Sequence, residues 1–320
     1  MLNRRNFLAL AAMAPIGRQL HAQDNWPNRP IHILSAGGPG GTNEVLSRHL
    51  AEPLGKILGQ NIVIESKGGA GGAIGTQYVT QQPADGYTIL THHNGLVTTP
   101  LVRANPGYAL DSLVPVSLQG SSPLVLLAHP SLPDTLSGFL EHARSHPGSL
   151  EWGTSALGGL SHLATEVFND MANLKNMVSV PFPGSVPAMQ ALVGGHVKYM
   201  MTVPSAATAS LLHEGRVRYL GFTYPNRTPS MPDVPAIAEA VPGFSAEAWY
   251  GMFVRAETPQ HIVDKLTSAF ATVLSDPKVV EQYAAINVIA KSGRDELAAI
   301  MQRETEQWGR VVRERNIRLD

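Results

Sequence analysis

The sequence predicts an α/β fold of two lobes joined by a pair of crossing strands. Its 320 residues are more than one ordinary mixed domain needs. Short apolar runs that are typical of strands alternate with amphipathic helical patterns, and this alternation predicts parallel sheets. Two such sets occur, with longer β-rich stretches between them. We therefore expect the chain to leave the first lobe, build the second and return.

The elements of the first set are three strands with a helix after each of the first two. The strands are predicted at 31–34, 61–64 and 87–90, and the helices at 43–57 and 71–81. The second set contains strands at 124–128, 150–153, 178–180, 197–201 and 217–222, and helices at 135–145, 160–171, 185–193 and 204–213. The stretches 114–129 and 246–254 are the predicted crossing strands, and the chain is helical from Pro259 onward. Residues 23–121 and 250–320 thus form lobe 1, and residues 122–249 form lobe 2.

The composition excludes several functional classes. Hydrophobic residues make up 43% of the chain and charged residues 15%, as in packed proteins rather than disordered ones. The formal net charge is −1 and no basic stripe occurs, so a nucleic acid or an anionic lipid surface is not an expected partner. Cysteine is absent, which excludes disulfides, thiolate catalysis and cysteine-ligated metal sites.

The N-terminus predicts export. Arg4 and Arg5 precede an apolar stretch that ends near Ile16, and Ala22 offers a small residue for cleavage. The apolar stretch is shorter than the roughly 20 residues that span a bilayer. Residues 1–22 therefore form a predicted signal peptide of twin-arginine character, although an arginine pair also occurs in signals of the general secretory pathway. We expect the mature protein in the periplasm.

Two glycine-rich segments predict an anion site. Residues 36–44 and 67–75 each lie between a predicted strand and a helix. Ligands of open α/β sheets bind at the carboxyl ends of the strands. Glycine lets a ligand approach the backbone, and a helix N-terminus offers free N–H donors with the positive end of the helix dipole. This pair of loops can hold an anion without a basic side chain.

Residues 153–162 follow a strand and open a helix in the second lobe, so their hydroxyl groups form a candidate third wall. The run Thr91, His92, His93 and Asn94 adds polar groups directly after a first-lobe strand. Paired histidines raise the alternative of a metal site, but no third ligand has an interpretable spacing.

Residues 69–75 resemble a dinucleotide fingerprint, although they follow the second strand and the last glycine is one position late. An NAD(P)-binding oxidoreductase is therefore an alternative. Residues 153–157 resemble a nucleophile elbow, but Leu157 stands where that motif requires a glycine.

Ten segments along the mature chain resemble the substrate-binding receptors of tripartite tricarboxylate transporters, the Bug-type proteins. They are residues 26–31, 40–48, 69–72, 85–88, 162–164, 187–188, 192–197, 232–235, 249–251 and Pro259. The resemblance implies a type II periplasmic binding fold, the "Venus flytrap". It also implies a carboxylated ligand, no enzymatic activity, no cofactor, and a small and a large membrane subunit as partners. We expect the receptor to be monomeric. A ligand-sensing subunit of a signalling system remains an alternative.

The resemblance also implies which residues bind the ligand. In that family, main-chain N–H groups and water at the two glycine loops hold one carboxylate of the ligand. The corresponding residues of this chain are Gly40, Gly41, Thr42, Ala70, Gly71 and Gly72. The rest of the ligand meets the second lobe. Those residues are Thr154, Ser155, Ser161, His162, the turn at 181–186 that contains Pro183, and residues 202–204 that begin with Thr202.

Departures from the family pattern indicate the kind of ligand. Pro183 stands where a basic residue is frequent, which argues against a tricarboxylate. Thr202 stands where an acidic residue would suit an amino acid, and Glu44 replaces the aspartate of the first helix. Residues 36–37 replace the usual Pro-Phe pair. We therefore expect a mono- or dicarboxylate with an apolar or aromatic body.

Overall fold

The chain forms two β-sheets, each covered by helices. The structure, a computed structural model, describes residues 25–228 and 231–319. The predicted signal peptide lies outside the described residues. Among the helices of these described residues, none combines the length and the apolar character that a membrane span requires.

The first sheet has six strands in the order β11-β4-β10-β3-β1-β2. They are β1 (Ile31–Ser35), β2 (Ile62–Ser66), β3 (Thr88–His93), β4 (Leu113–Pro123), β10 (Glu247–Arg255) and β11 (Ile289–Ala290). Strands β1, β2 and β3 are parallel, whereas β10 runs antiparallel to β3 and β4. Its helices are α1 (Thr42–Leu58), α2 (Ala73–Thr80), α3 (Gly95–Val102), α8 (Gln260–Leu274), α9 (Pro277–Ala284) and α10 (Arg294–Glu314).

The second sheet has five strands in the order β7-β6-β8-β5-β9. They are β5 (Val125–Ala128), β6 (Glu151–Thr154), β7 (Val178–Pro181), β8 (Tyr199–Thr202) and β9 (Arg218–Phe222). Strand β6 is parallel to β7 and β8, and β5 is antiparallel to β8 and β9. Its helices are α4 (Leu136–Ser145), α5 (Leu160–Met171), α6 (Ser185–Val193) and α7 (Ala206–His213).

The predicted crossing strands lie side by side. Strands β4 and β10 pair along their whole length, from Leu113 opposite Arg255 to Pro123 opposite Glu247. At Leu124 the chain leaves the first sheet, and β5 begins the second. The predicted stretch 114–129 is thus two strands, one in each sheet, which makes the β4–β10 pair the connection between the lobes.

Each sheet has its own apolar core, and α10 contributes to both. Leu297 and Ile300 pack with Trp249 in a cluster of the first lobe. About two to four turns later, Trp308 and Val311 belong to the cluster of the second lobe. Helix α10 is therefore a further connection between the lobes, and the predicted division of the chain at residues 121 and 249 stays a prediction.

Candidate functional site

The two glycine loops of the first lobe touch each other. A Cβ atom on Gly68 would lie 2.6 Å from the backbone nitrogen of Gly38. The N–H of Lys67 donates to the carbonyl of Ser35 over 2.8 Å, which extends the β1–β2 pairing to the start of both loops. The loops can approach this closely only because Gly68 has no side chain.

Glu44 holds the first loop in place. Its carboxylate accepts hydrogen bonds from the N–H of Gly40 at 3.1 Å and from the hydroxyl of Ser66 at 2.6 Å. The Ser66 hydroxyl, followed by Arg48 and the Gly40 N–H, keeps the pKa of Glu44 below its usual value. Glu44 is therefore an anion that ties the loop to the end of β2. Because the Gly41 N–H donates to the Gly38 carbonyl at 3.0 Å, both glycine N–H groups are bonded within the protein.

The N-terminus of α1 opens into a cavity of about 300 Å³. Gly41 is its N-cap and provides no capping side chain, so the N–H groups of the first turn have no partner within the helix. Thr42 and Asn43 line the cavity. Asn43 is only 2% exposed, and neither polar atom of its side chain has a hydrogen-bond partner. The residues at this wall of the cavity therefore carry unused donors and an unused acceptor.

His93 lines the same cavity, whereas the neighbouring His92 does not. The His93 Nδ1 accepts the N–H of Gly95 at 2.9 Å, and burial lowers its pKa to about 4. The ring is therefore neutral at neutral pH, with its proton on Nε2. His92 and Thr91 are fully buried behind the cavity. Successive strand residues point to opposite faces, which explains why only one histidine of the pair reaches the cavity.

The second glycine loop borders a neighbouring cavity of about 340 Å³. Ala70, Gly71 and Gly72 have φ values of 51°, 70° and 92°, the left-handed conformation that favours glycine. Ala70 and Gly71 line this cavity opposite residues 156–160 of the second lobe. The N–H of Gly72 donates to the Gly69 carbonyl at 2.9 Å, so it closes the turn.

The second lobe supplies a wall of hydroxyl groups. Ser155, Ser161 and Thr202 line a third cavity, of about 540 Å³. The Oγ atom of Ser161 lies 3.4 Å from that of Ser155 and 3.5 Å from the Oγ1 of Thr154. Thr154 is fully buried and supports this cluster from behind. Pro183 is exposed and is absent from the described residues that line the three cavities.

His162 supports the second-lobe wall and faces none of the three cavities in the described part of the chain. Its ring stacks on Trp152 with centroids 5.4 Å apart, and its Nδ1 accepts the N–H of Gly158 at 3.2 Å. Burial lowers the pKa of His162 to about 4. A neutral histidine therefore fixes the turn that precedes α5.

The three cavities are neighbours in one cleft, of which the first two are lined by both lobes and the third by the second lobe alone. The first and second share His93 and Leu160, and the first and third share Val203. Among the described residues that line the cleft, Arg103 of the second cavity is the one permanently charged side chain. An anion in the first cavity would therefore rely on backbone N–H groups and neutral side chains. Asn43, His93 and Tyr250 are among the lining residues that the sequence did not assign as ligand contacts.

Comparisons with known proteins agree with this geometry. The model of the tripartite tricarboxylate transporter receptor family matches residues 46–317. Protein BugT of Bordetella pertussis is 34% identical, over 98% of this chain and 96% of BugT. Among solved structures, the periplasmic binding protein BugD is 29% identical with a TM-score of 0.73, covering 92% of this chain and 99% of BugD. Rpa4515 of R. palustris, solved with adipate, is 31% identical with a TM-score of 0.77, covering 92% of this chain and 99% of Rpa4515.

These findings confirm the predicted two-lobed fold and the predicted family. The alignments cover 99% of each of these two solved structures and 92% of this chain, so both lobes and the cleft between them are shared. The matched segment begins inside α1 and ends beyond α10, and it includes every strand from β2 to β11. The chain therefore belongs to the tripartite tricarboxylate transporter receptor family.

Proposed function

We propose that this chain captures a small carboxylate in the periplasm and delivers it to the small and large membrane subunits of a tripartite transporter. The observation that carries the proposal is the uncapped start of α1, which opens into a cavity between the lobes beside the unpartnered side chain of Asn43. Adipate in a solved relative supports a carboxylate as the ligand class.

The start of α1 suits a carboxylate for two reasons. Free N–H groups of a first helical turn donate to anions, and the helix dipole adds roughly half a positive charge at that end. The neighbouring ring of His93 presents a further N–H donor from Nε2, since its Nδ1 already accepts a bond. A single carboxylate can thus be held without a charged side chain.

The second lobe would complete the site by enclosing the remainder of the ligand. Its wall combines the hydroxyls of Ser155, Ser161 and Thr202 with the apolar side chains of Met189 and Val193. Such a surface suits a mono- or dicarboxylate with an apolar or aromatic body. Closure of the lobes would exclude water and strengthen the hydrogen bonds at the carboxylate.

Thermal unfolding with matched ligands tests the proposal. The mature protein is heated with a panel of aliphatic and aromatic carboxylic acids and, as controls, with the primary amide of each acid. An acid at a hundredfold excess over its Kd should stabilise the protein by about 2.7 kcal/mol, and its amide should not. Stabilisation by NAD(P) and by no acid would instead favour the oxidoreductase alternative. Uptake into proteoliposomes that contain both membrane subunits should then require this chain.

A further inference from the structure

We infer that Asn43 makes this cleft selective for 2-hydroxycarboxylates, with the carboxylate at the start of α1 and the hydroxyl donating to the Asn43 Oδ1. The inference rests on the proposed function, because it names the ligand class of the same site. It adds a requirement for a hydrogen-bond donor next to the carboxylate.

The side chain of Asn43 is the observation that points to a ligand. The residue is 2% exposed, and its Nδ2 and Oδ1 atoms are both buried without a hydrogen-bond partner in the described structure. Buried polar atoms in folded proteins nearly always have a partner. Asn43 is the second residue of α1 and lines the cavity at the uncapped end of that helix. The residue that carries both unpaired atoms therefore lies where the ligand's carboxylate is expected.

A carboxylate alone satisfies only half of this amide. An ionised carboxylate accepts hydrogen bonds and donates none, so it can pair with Nδ2 but not with Oδ1. Exchanging the amide oxygen and nitrogen does not change this result, since both positions are unpaired. The nearby Nε2 proton of His93 and the start of α1 are also donors suited to the carboxylate. The Oδ1 atom therefore calls for a donor that belongs to the ligand.

A hydroxyl group fits that donor better than an ammonium group. The described residues that line this cavity include no aspartate or glutamate, so a positive charge would be buried without a counter-charge. The hydroxyl of a 2-hydroxy acid is neutral and is one carbon away from the carboxylate. It can approach Oδ1 while the carboxylate remains at the first turn of α1.

Calorimetric titration of matched acid pairs tests the inference on the wild-type protein. Suitable pairs are mandelate with phenylacetate, malate with succinate, and 2-hydroxyisocaproate with isocaproate. In the pair that fits the cleft best, the hydroxylated acid should bind roughly tenfold more tightly or better, because the other leaves Oδ1 unpaired. Equal affinities within every pair that binds would overturn the inference and leave the proposed function intact. If no acid binds, the proposed function itself fails.

Two variants assign the preference to Asn43. In N43A the two members of the best pair should bind within about twofold of each other, since the acceptor is gone. Asn61 is exposed and immediately precedes β2, outside the cleft, so it provides the matched control. N61A should keep the wild-type ratio of affinities. N43T retains an acceptor oxygen and should preserve part of the preference, which keeps the test decisive if N43A does not fold. A wild-type ratio in N43A would show that another group reads the hydroxyl.

Discussion

The carboxylate of Glu304 accepts a hydrogen bond of 2.8 Å from the side-chain amide of Asn94, which joins helix α10 to the wall of the ligand cleft. Its other oxygen accepts the indole N–H of Trp249 at 2.9 Å. Asn94 also accepts the backbone N–H of Trp249 at 3.2 Å and donates to the carbonyl of Glu247 at 3.0 Å. Glu304 therefore connects the bridging helix, the crossing strand β10 and the end of β3.

Replacing Glu304 by glutamine should remove a pH-dependent part of the stability. Burial raises the pKa of Glu304 from 4.5 to about 7. Between these values the folded protein binds more protons than the unfolded chain, so the contribution is present below pH 4.5 and is lost as pH rises towards 7. The difference in unfolding free energy, wild type minus E304Q, should fall by roughly 3 kcal/mol across this range. Urea unfolding at several pH values measures it.

The exposed Glu306, on the same helix, is the matched control for this titration. E306Q should leave the wild-type dependence on pH unchanged, because the group remains solvated. A difference between wild type and E304Q that is constant from pH 4.5 to pH 7 would mean that Glu304 does not titrate there in the folded protein.

Truncating Trp308 should weaken the connection that α10 makes between the lobes. The indole is 1% exposed and packs in the core of the second lobe, although α10 starts against the first. Removal of a buried tryptophan side chain usually costs 3–5 kcal/mol, so we expect a loss of about that size in W308A. The exposed Arg310 is on the same helix, and R310A should stay within about 0.5 kcal/mol of the wild type. Equal denaturation midpoints for the two variants would contradict the bridging role.

The regular elements were predictable because their hydrophobic periods are local features. Helix α5 has the bounds 160–171 in both the prediction and the structure. Helix α3 was missed because its eight residues include Gly95 and Pro100, which weaken a helical pattern. The sequence also predicts a helical chain from Pro259 onward, but a helical period cannot show that one helix enters two different cores.

The candidate site was predictable at its loops and less so at its side chains. Glycines between a strand and a helix indicate the end of an open α/β sheet at which ligands bind, and this pattern can be read without knowledge of tertiary contacts. The choice between His92 and His93 depends on which face of β3 meets the second lobe, and the sequence does not contain this information. Asn43 stands out only when its surroundings are known, because what distinguishes it is the lack of a partner.

Adding a methyl group at Gly68 should separate the two glycine loops. Its Cβ would lie 2.6 Å from the backbone nitrogen of Gly38, so the loops must move apart. We expect G68A to lose about 1–3 kcal/mol of stability, as for other overpacked sites, and to bind the carboxylate more weakly. A Cβ on Gly38 itself meets no atom within 4 Å, which makes G38A the control for stability. Guanidinium unfolding compares the two, and similar stabilities would show that the loops yield without cost.

His162 should give the opposite pH dependence to Glu304. Burial lowers its pKa from 6.5 to about 4, so between these values the folded protein binds fewer protons than the unfolded chain. Its contribution is present above pH 6.5 and is lost as pH falls through 4. H162F keeps a ring against Trp152 but lacks the Nδ1 acceptor for Gly158, which should cost about 1 kcal/mol at neutral pH.

As the pH falls from 6.5 to 4, the difference in unfolding free energy, wild type minus H162F, should decrease by roughly 3 kcal/mol and change sign. His213 is exposed at the end of α7, and H213F should show no such trend. Because the Glu304 difference increases over most of the same interval, a common effect of acid on the protein cannot produce both results. A His162 difference that does not change with pH would show that the ring can be protonated in place, and the turn before α5 would then not depend on a neutral histidine.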